Sequence, residues 1–243
     1  MKGIILAGGT GSRLMPLTKI TNKHLLPVGK SPMIIHGINK LVESRINDIM
    51  IVTGTEHMGD MVTLLGSGKD FNCQITYKVQ DEPDGIAGAL KLCENFVGKE
   101  SVAVILGDNI FEDSLAAVLK NFHRLQAEQI GPVSSFAVKE VEDPHRFGVA
   151  EIHNGKILSI EEKPKQPKSN YCITGIYVYD SNVFQFIKDL KKSNRGEYEV
   201  TDINNEYVKR NGATYTILNG WWTDAGTHES YYKANLLIRG TNA

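Results

Sequence analysis

Residues 3–13, Gly-Ile-Ile-Leu-Ala-Gly-Gly-Thr-Gly-Ser-Arg, set an apolar strand, a run of small residues and a guanidinium in succession. Without side chains, Gly8, Gly9 and Gly11 admit positive φ and let consecutive N–H groups point at one ligand. Arg13 beside such a nest of donors suits the oxygens of a nucleotide phosphate. Two familiar cradles fail on their own rules. A dinucleotide fingerprint needs a third glycine where Leu14 stands, and Pro16 disfavours helix at Met15. A P-loop is imitated by Gly29-Lys30-Ser31, but position 24 is His and Pro27 interrupts any strand leading in. An ordinary glycine-rich strand-to-helix turn remains the plainer alternative for the cluster taken alone.

Carboxylates and further cations follow. Asp108 closes the apolar run Val102-Ala103-Val104-Ile105-Leu106, and Asp224 precedes the last helical stretch. In a parallel sheet, ligands bind beyond the carboxyl ends of strands, so two such carboxylates can share a hard cation such as Mg²⁺ with phosphate oxygens. Taken singly, each is as simply a helix cap or turn residue. Lys23 taken alone is a solvated lysine, and Glu161-Glu162-Lys163-Pro164 a charged strand end. Gln80 offers a donor and an acceptor to a base edge, ahead of Pro83-Asp84-Gly85, where Asp84 could also cap a helix.

The elements that must position these groups alternate in the first half. Strand-like runs at 3–6, 48–53, 75–79 and 101–106 are separated by helix-like stretches near 31–45, 57–65, 84–95 and 113–125. That rhythm predicts βαβ units and a Rossmann-like, mostly parallel sheet flanked by helices. After about residue 130 come short strand-like runs at 133–139, 147–152, 156–161 and 172–179, with Asn154-Gly155 a hairpin turn signal. Helices near 182–191 and 200–210, a strand at 213–218 and a helix at 227–238 complete the pattern. The expectation is one α/β domain over 1–243, with a nucleotide half at about 1–130 and a smaller antiparallel acceptor half at about 131–243.

Bulk properties narrow the class. Twenty-seven basic against 28 acidic residues give a net charge of −1, which supports neither a nucleic-acid nor a membrane partner. Three cysteines without C-x-x-C spacing argue against a zinc site or a disulfide framework. No basic-then-apolar leader opens the sequence and no apolar run approaches membrane-spanning length, so a cytoplasmic enzyme or binding protein is expected.

In order and spacing, the segments Gly8–Arg13, Lys23 with Leu25-Leu26-Pro27, Gln80 with Pro83-Asp84-Gly85, Leu106–Asn109, Phe147-Gly148 and Glu162-Lys163-Pro164 form a specific series. Thr174-Gly175, Arg195-Gly196-Glu197 with Thr201-Asp202, and Trp222–Gly226 extend it. The series resembles the sugar-phosphate nucleotidylyltransferases over roughly residues 1–238, most closely the members that use dTTP and glucose 1-phosphate. The resemblance implies the nucleotide-diphospho-sugar transferase fold and a Mg²⁺-dependent in-line attack of the sugar phosphate on the α-phosphorus. Such an attack gives dTDP-glucose and pyrophosphate, as a first step toward dTDP-rhamnose. A phosphate monoester with a second pKa of about 6 is already mostly dianionic at neutral pH, so no general base is required. Positioning and cations must overcome the repulsion of two anions.

By motif, the resemblance assigns Arg13 and Lys23 to catalysis and Asp108 and Asp224 to the metal. It assigns Leu6, Gly8, Gly9, Gly11, Ser12, Gln80, Pro83, Gly85 and Asp108 to the nucleotide. Gly148, Glu162, Lys163, Ile173, Tyr177 and Arg195 go to the sugar phosphate. It also implies a homo-oligomer, a tetramer in relatives. Phe147 stands where a Tyr commonly precedes the glycine, and longer members continue past the 227–238 helix into an extension that helps build a feedback site for dTDP-rhamnose. A feedback site of that kind is therefore not carried over. UTP in place of dTTP, a non-catalytic nucleotide-sugar sensor and a dehydrogenase are the competing readings. The broken fingerprint disfavours the last, and the presence of Arg13, Lys23 and both carboxylates disfavours the sensor.

Overall fold

The computed structural model describes residues 1–240. The chain forms two compact units interleaved along the sequence: Lys2–Pro83 with Val104–Ser114 and the segment from Gly220, and Asp84–Ala103 with Leu115–Asn219 and Met1. Residues 241–243 of the expected acceptor half lie outside the described residues.

In the first-named unit, strands Lys2–Ala7, Asp48–Gly54 and Gln74–Gln80 run parallel. The register sets Ala7 beside Thr53 and Gly54 beside Gln80, so the carboxyl ends share one edge. The N–H of Gly107 donates to the carbonyl of Leu6 at 2.9 Å and brings the end of strand Val102–Leu106 to that edge. Helix Met33–Glu43 buries Met33, Ile34, Gly37, Ile38 and Leu41, one face at helical spacing. It begins two residues later than the periodicity suggests because Ser31–Pro32 pairs with Pro27–Val28 in a hairpin. Gly29 turns that hairpin with φ 66°, so the P-loop-like tail is a hairpin turn.

A two-stranded ribbon absent from the periodicity joins Asn109–Phe111 to Trp222–Asp224, antiparallel, with Asp224 opposite Asn109. The Trp222 indole N–H donates to Asn109 Oδ1 at 2.8 Å, and Ile110 of the ribbon packs with Val28, Met33, Ala225 and Ala234 in a small core. The helix expected from 113 starts instead at Ala116 and runs to Glu128. Asp113 still belongs to the preceding segment, where its carboxylate accepts from the Gly220 N–H at 2.8 Å.

In the other unit, strands Gly148–His153 and Lys156–Glu162 form the expected hairpin, with Asn154 and Gly155 both at positive φ (48° and 73°). Strand Tyr171–Tyr179 pairs antiparallel with both Gly148–His153 and Ser134–Glu140, and Ala213–Ile217 joins the latter in parallel. The stretch expected as one helix over 84–95 is two, Ile86–Lys91 and Glu94–Val97, and Gly85 rather than Asp84 holds the N-cap position. Buried Asp180 is satisfied by the Val133 N–H, the Tyr207 hydroxyl and Asn182. Burial and this carboxylate push the Tyr207 phenol far above its ordinary range, so it stays a donor.

Candidate active site

The loop after strand Lys2–Ala7 carries the first cluster. Gly9 and Gly11 take positive φ, 96° and 62°, whereas Gly8 does not. At Gly8 a Cβ would stand 2.9 Å from Oε1 of Gln80, which places the Gln80 amide against the loop. A Cβ at Gly11 would meet Thr18 at 2.9 Å and Lys23 at 3.3 Å, while the Thr18 hydroxyl donates to the Gly11 carbonyl. Ser12–Leu14 forms one tight helical turn whose buried Leu14 anchors it and leaves Ser12 and Arg13 exposed. Leu6 is buried beneath the loop, and Pro83 is exposed just past Gln80.

Lys23 and Asp108 meet at 2.5 Å, each with 13% of its side chain exposed. Burial alone would raise the Asp108 carboxyl. The Lys23 ammonium, with hydrogen bonds from Lys23 and from Asn109 (3.0 Å to Oδ1), overrides that and holds it well below the ordinary range. The Ala225 N–H donates to the Asp108 carbonyl at 2.7 Å, so the ribbon sets Asp224 next to this pair. Arg13 closes the group: a Cβ built on Gly226 would lie 3.0 Å from its Nη2 and 3.5 Å from Asp108 Oδ2. Arg13, Lys23, Asp108, Asp224 and the glycine loop therefore gather at the carboxyl edge of one parallel sheet.

Beneath them His24 is buried. Asn22 Oδ1 accepts from the His24 backbone N–H at 2.9 Å and sits 2.7 Å from Nδ1, while Asn22 Nδ2 donates to the Ala7 carbonyl. Burial, with the Lys23 charge next in weight, lowers the imidazole from 6.5 to about 3. The unfolded chain thus binds more protons between those values. The His24 contribution to stability is therefore full above about pH 6.5 and is lost as the pH drops toward 3, by up to about 1.4 kcal/mol per unit. Urea unfolding at pH 7, 6 and 5 in a chelator should show that slope, and His24→Gln should flatten it. An unchanged slope in the variant would assign it to other groups.

The other unit holds the second cluster. Gly148 lies between two sheet neighbours, Glu162 on one strand and Ile173 on the other. The Thr201 hydroxyl donates to Glu162 Oε2 at 2.6 Å, and Arg195 Nη2 donates to Glu162 Oε1 at 3.2 Å. Lys163, at a positive φ of 46°, is half exposed with Nζ 3.8 Å from Glu162. Glu162, Lys163, Gly148, Ile173 and Arg195 are thus one group. Tyr177 lies four residues beyond Ile173 on its strand, buried with its ring stacked on Tyr179 and edge-on to Phe136. Gly85 belongs to this unit too, at φ 100°, where a Cβ would meet the Tyr198 carbonyl at 2.7 Å. Gln80 and Pro83 belong to the other.

The Nucleotidyl transferase family profile matches residues 2–240. The chain belongs to that family. Among proteins similar to this nucleotidyl transferase, a glucose-1-phosphate thymidylyltransferase of Neisseria meningitidis is 44% identical, with 98% of this chain and 83% of that protein covered. One of the same name from Mycobacterium tuberculosis is 40% identical, covering 98% and 82%. A crystal structure from Bacillus anthracis, described as a glucose-1-phosphate thymidylyltransferase in complex with a sucrose, superposes with TM-score 0.93 at 58% identity, covering 98% and 95%. A UDP-glucose pyrophosphorylase complexed with UDP-glucose superposes with TM-score 0.83 at 26% identity, covering 99% and 98%.

For a nucleotidyl transferase the donor set fits Mg²⁺. Among the described residues no three His, Cys, Asp or Glu side chains cluster as a self-sufficient metal site. Asp108 and Asp224 alone supply few protein oxygens, the situation of a cation that also takes phosphate oxygens and water. Sequence reasoning gave no role to Asn22, His24, Gly107 and Asn109, whose hydrogen bonds brace the loop, Lys23 and Asp108, or to Glu199, which accepts from Arg195 in the other unit. The signal available for the first pair was Asn immediately before a short basic–apolar turn, where its side chain caps the His24 N–H.

Proposed function

We propose that this chain transfers the thymidylyl group of dTTP to α-D-glucose 1-phosphate, giving dTDP-glucose and pyrophosphate. The observation that carries the reading is the part-buried Lys23–Asp108 pair at the mouth of the glycine loop, with the Arg13 guanidinium beside it. The names of the relatives supply the base and the sugar. Arg13 and Lys23 neutralise the α-phosphate and the charge that builds on the departing pyrophosphate. Leu6, Gly8, Gly9, Gly11 and Ser12 take the nucleotide, and Gln80 with Pro83 and Gly85 takes the thymine edge. Asp108 and Asp224 would hold Mg²⁺, which when bound supplies further positive charge to phosphate oxygens. Lys163 and Arg195 grip the sugar phosphate, while Glu162, Tyr177 and the backbones of Gly148 and Ile173 take the sugar. The attacking oxygen needs no proton removed, so the work of the residues is neutralisation and alignment.

The reading extends to a homo-oligomer, a tetramer on the family pattern, to a cytoplasmic location, and to a place as the first step toward dTDP-rhamnose. Among the described residues no helix is long and apolar enough to cross a membrane. Initial rates with glucose 1-phosphate and each of dTTP, UTP, CTP and GTP test the base: kcat/KM for dTTP should exceed that for UTP by about tenfold or more, worth about 1.4 kcal/mol. Preference for UTP would make the chain a UDP-glucose pyrophosphorylase. Absence of pyrophosphate with every nucleotide would make it a sensor.

A further inference from the structure

Arg195 is held by carboxylates of its own chain. Its Nε and Nη2 donate to the two oxygens of Glu199 at 3.2 and 2.7 Å, a bidentate fork, and Nη2 also reaches Glu162. Glu197 stands farther off, 3.9 Å from Nη2. Glu199 is the most enclosed of the three, with 12% of its side chain exposed against 27% for Glu162 and 44% for Glu197. The Ser193 hydroxyl donates to Glu199 Oε1 at 2.6 Å, and the same oxygen of Ser193 accepts the Arg195 backbone N–H at 3.2 Å. Glu199 also immediately precedes helix Val200–Lys209, where the helix dipole favours a negative charge.

A guanidinium has five N–H donors in a rigid plane. Once Nε and Nη2 are turned to Glu199 and Glu162, the Nη1 edge is the part that remains for a ligand. Lys163 adds a second, half-exposed cation, 3.8 Å from the same Glu162 oxygen that Arg195 reaches. We propose that Glu199, braced by Ser193, is a positioning residue that locks the plane of Arg195 and presents its Nη1 edge to the phosphate of the incoming sugar. The proposal rests on the assignment of Arg195 to that phosphate. A counter-ion that merely competed with the phosphate would be exposed and loosely held; Glu199 is enclosed and doubly anchored. Without it the arginine keeps its charge but must be ordered by the ligand, which weakens binding.

Steady-state kinetics of Glu199→Gln and Ser193→Ala, together with an inorganic phosphate titration followed at the Arg195 Nε–H resonance, test this. Glu199→Gln should raise KM for glucose 1-phosphate about tenfold and weaken the phosphate response similarly, with KM for dTTP within about twofold of the parent. Ser193→Ala should move the same two quantities by about threefold. A lowered KM for glucose 1-phosphate would show a competing counter-ion and overturn the proposal. So would an unchanged KM with an unchanged phosphate response, or an equal rise in both KM values. If the parent enzyme fails to turn over glucose 1-phosphate while the phosphate response still depends on Glu199, the functional reading falls and the bracing of Arg195 stands.

Discussion

Replacing Arg13 by alanine is expected to lower kcat at least about 100-fold, a loss of about 2.7 kcal/mol of transition-state stabilisation, and to leave the melting temperature nearly unchanged. The asymmetry follows from its position. Arg13 is exposed on a turn anchored by Leu14, so its removal opens no cavity and orphans no buried group. Yet its guanidinium lies where a Cβ on Gly226 would touch it, on the same spot that Asp108 Oδ2 approaches. A cation there interacts more strongly with the transition state, as charge moves to the leaving pyrophosphate, than with the bound ground state, so the loss falls on kcat more than on KM. Calorimetry and steady-state rates on one preparation check both halves. Near-normal kinetics in the folded variant would remove Arg13 from the chemistry.

Asp108→Asn should behave differently, losing activity and stability together. Turnover should fall at least about 100-fold, and unfolding free energy by about 3 kcal/mol, because the enclosed Lys23 ammonium is left without its counter-charge. Adding Lys23→Met to Asp108→Asn removes the orphaned charge, so the double variant should recover most of the stability and none of the activity. Denaturant titrations of the parent, the single and the double variant measure the first effect and pyrophosphate release the second. Recovery of activity in the double variant would mean that the pair is only structural.

Much of this was legible in the residues. Alternating strand and helix periods located Lys2–Ala7, Asp48–Gly54, Gln74–Gln80 and Val102–Leu106 to within a residue or two, because parallel strands are apolar runs bounded by breakers. Asn154-Gly155 announced its own hairpin, since both residues tolerate positive φ. The ribbon of Asn109–Phe111 with Trp222–Asp224 was not legible: its partners are 113 residues apart at Asn109 and Trp222, and three-residue strands carry no period. That ribbon is nevertheless what seats Asp224 next to Asp108. The start of the 84–95 stretch at Ile86 was hidden likewise, because Gly85 is fixed by a close approach to Tyr198 that no local pattern records. Glu199 carries no local signal of its own, and only the fork to Arg195 sets it apart from Glu197.

The most direct test is ³¹P NMR of the purified protein incubated with dTTP, glucose 1-phosphate and Mg²⁺. The reading requires the sugar monophosphate and triphosphate signals to decline together while a nucleoside diphosphate sugar and pyrophosphate grow in equal amounts. Triphosphate hydrolysis to dTMP with the sugar phosphate untouched, or a spectrum that never changes, would contradict it.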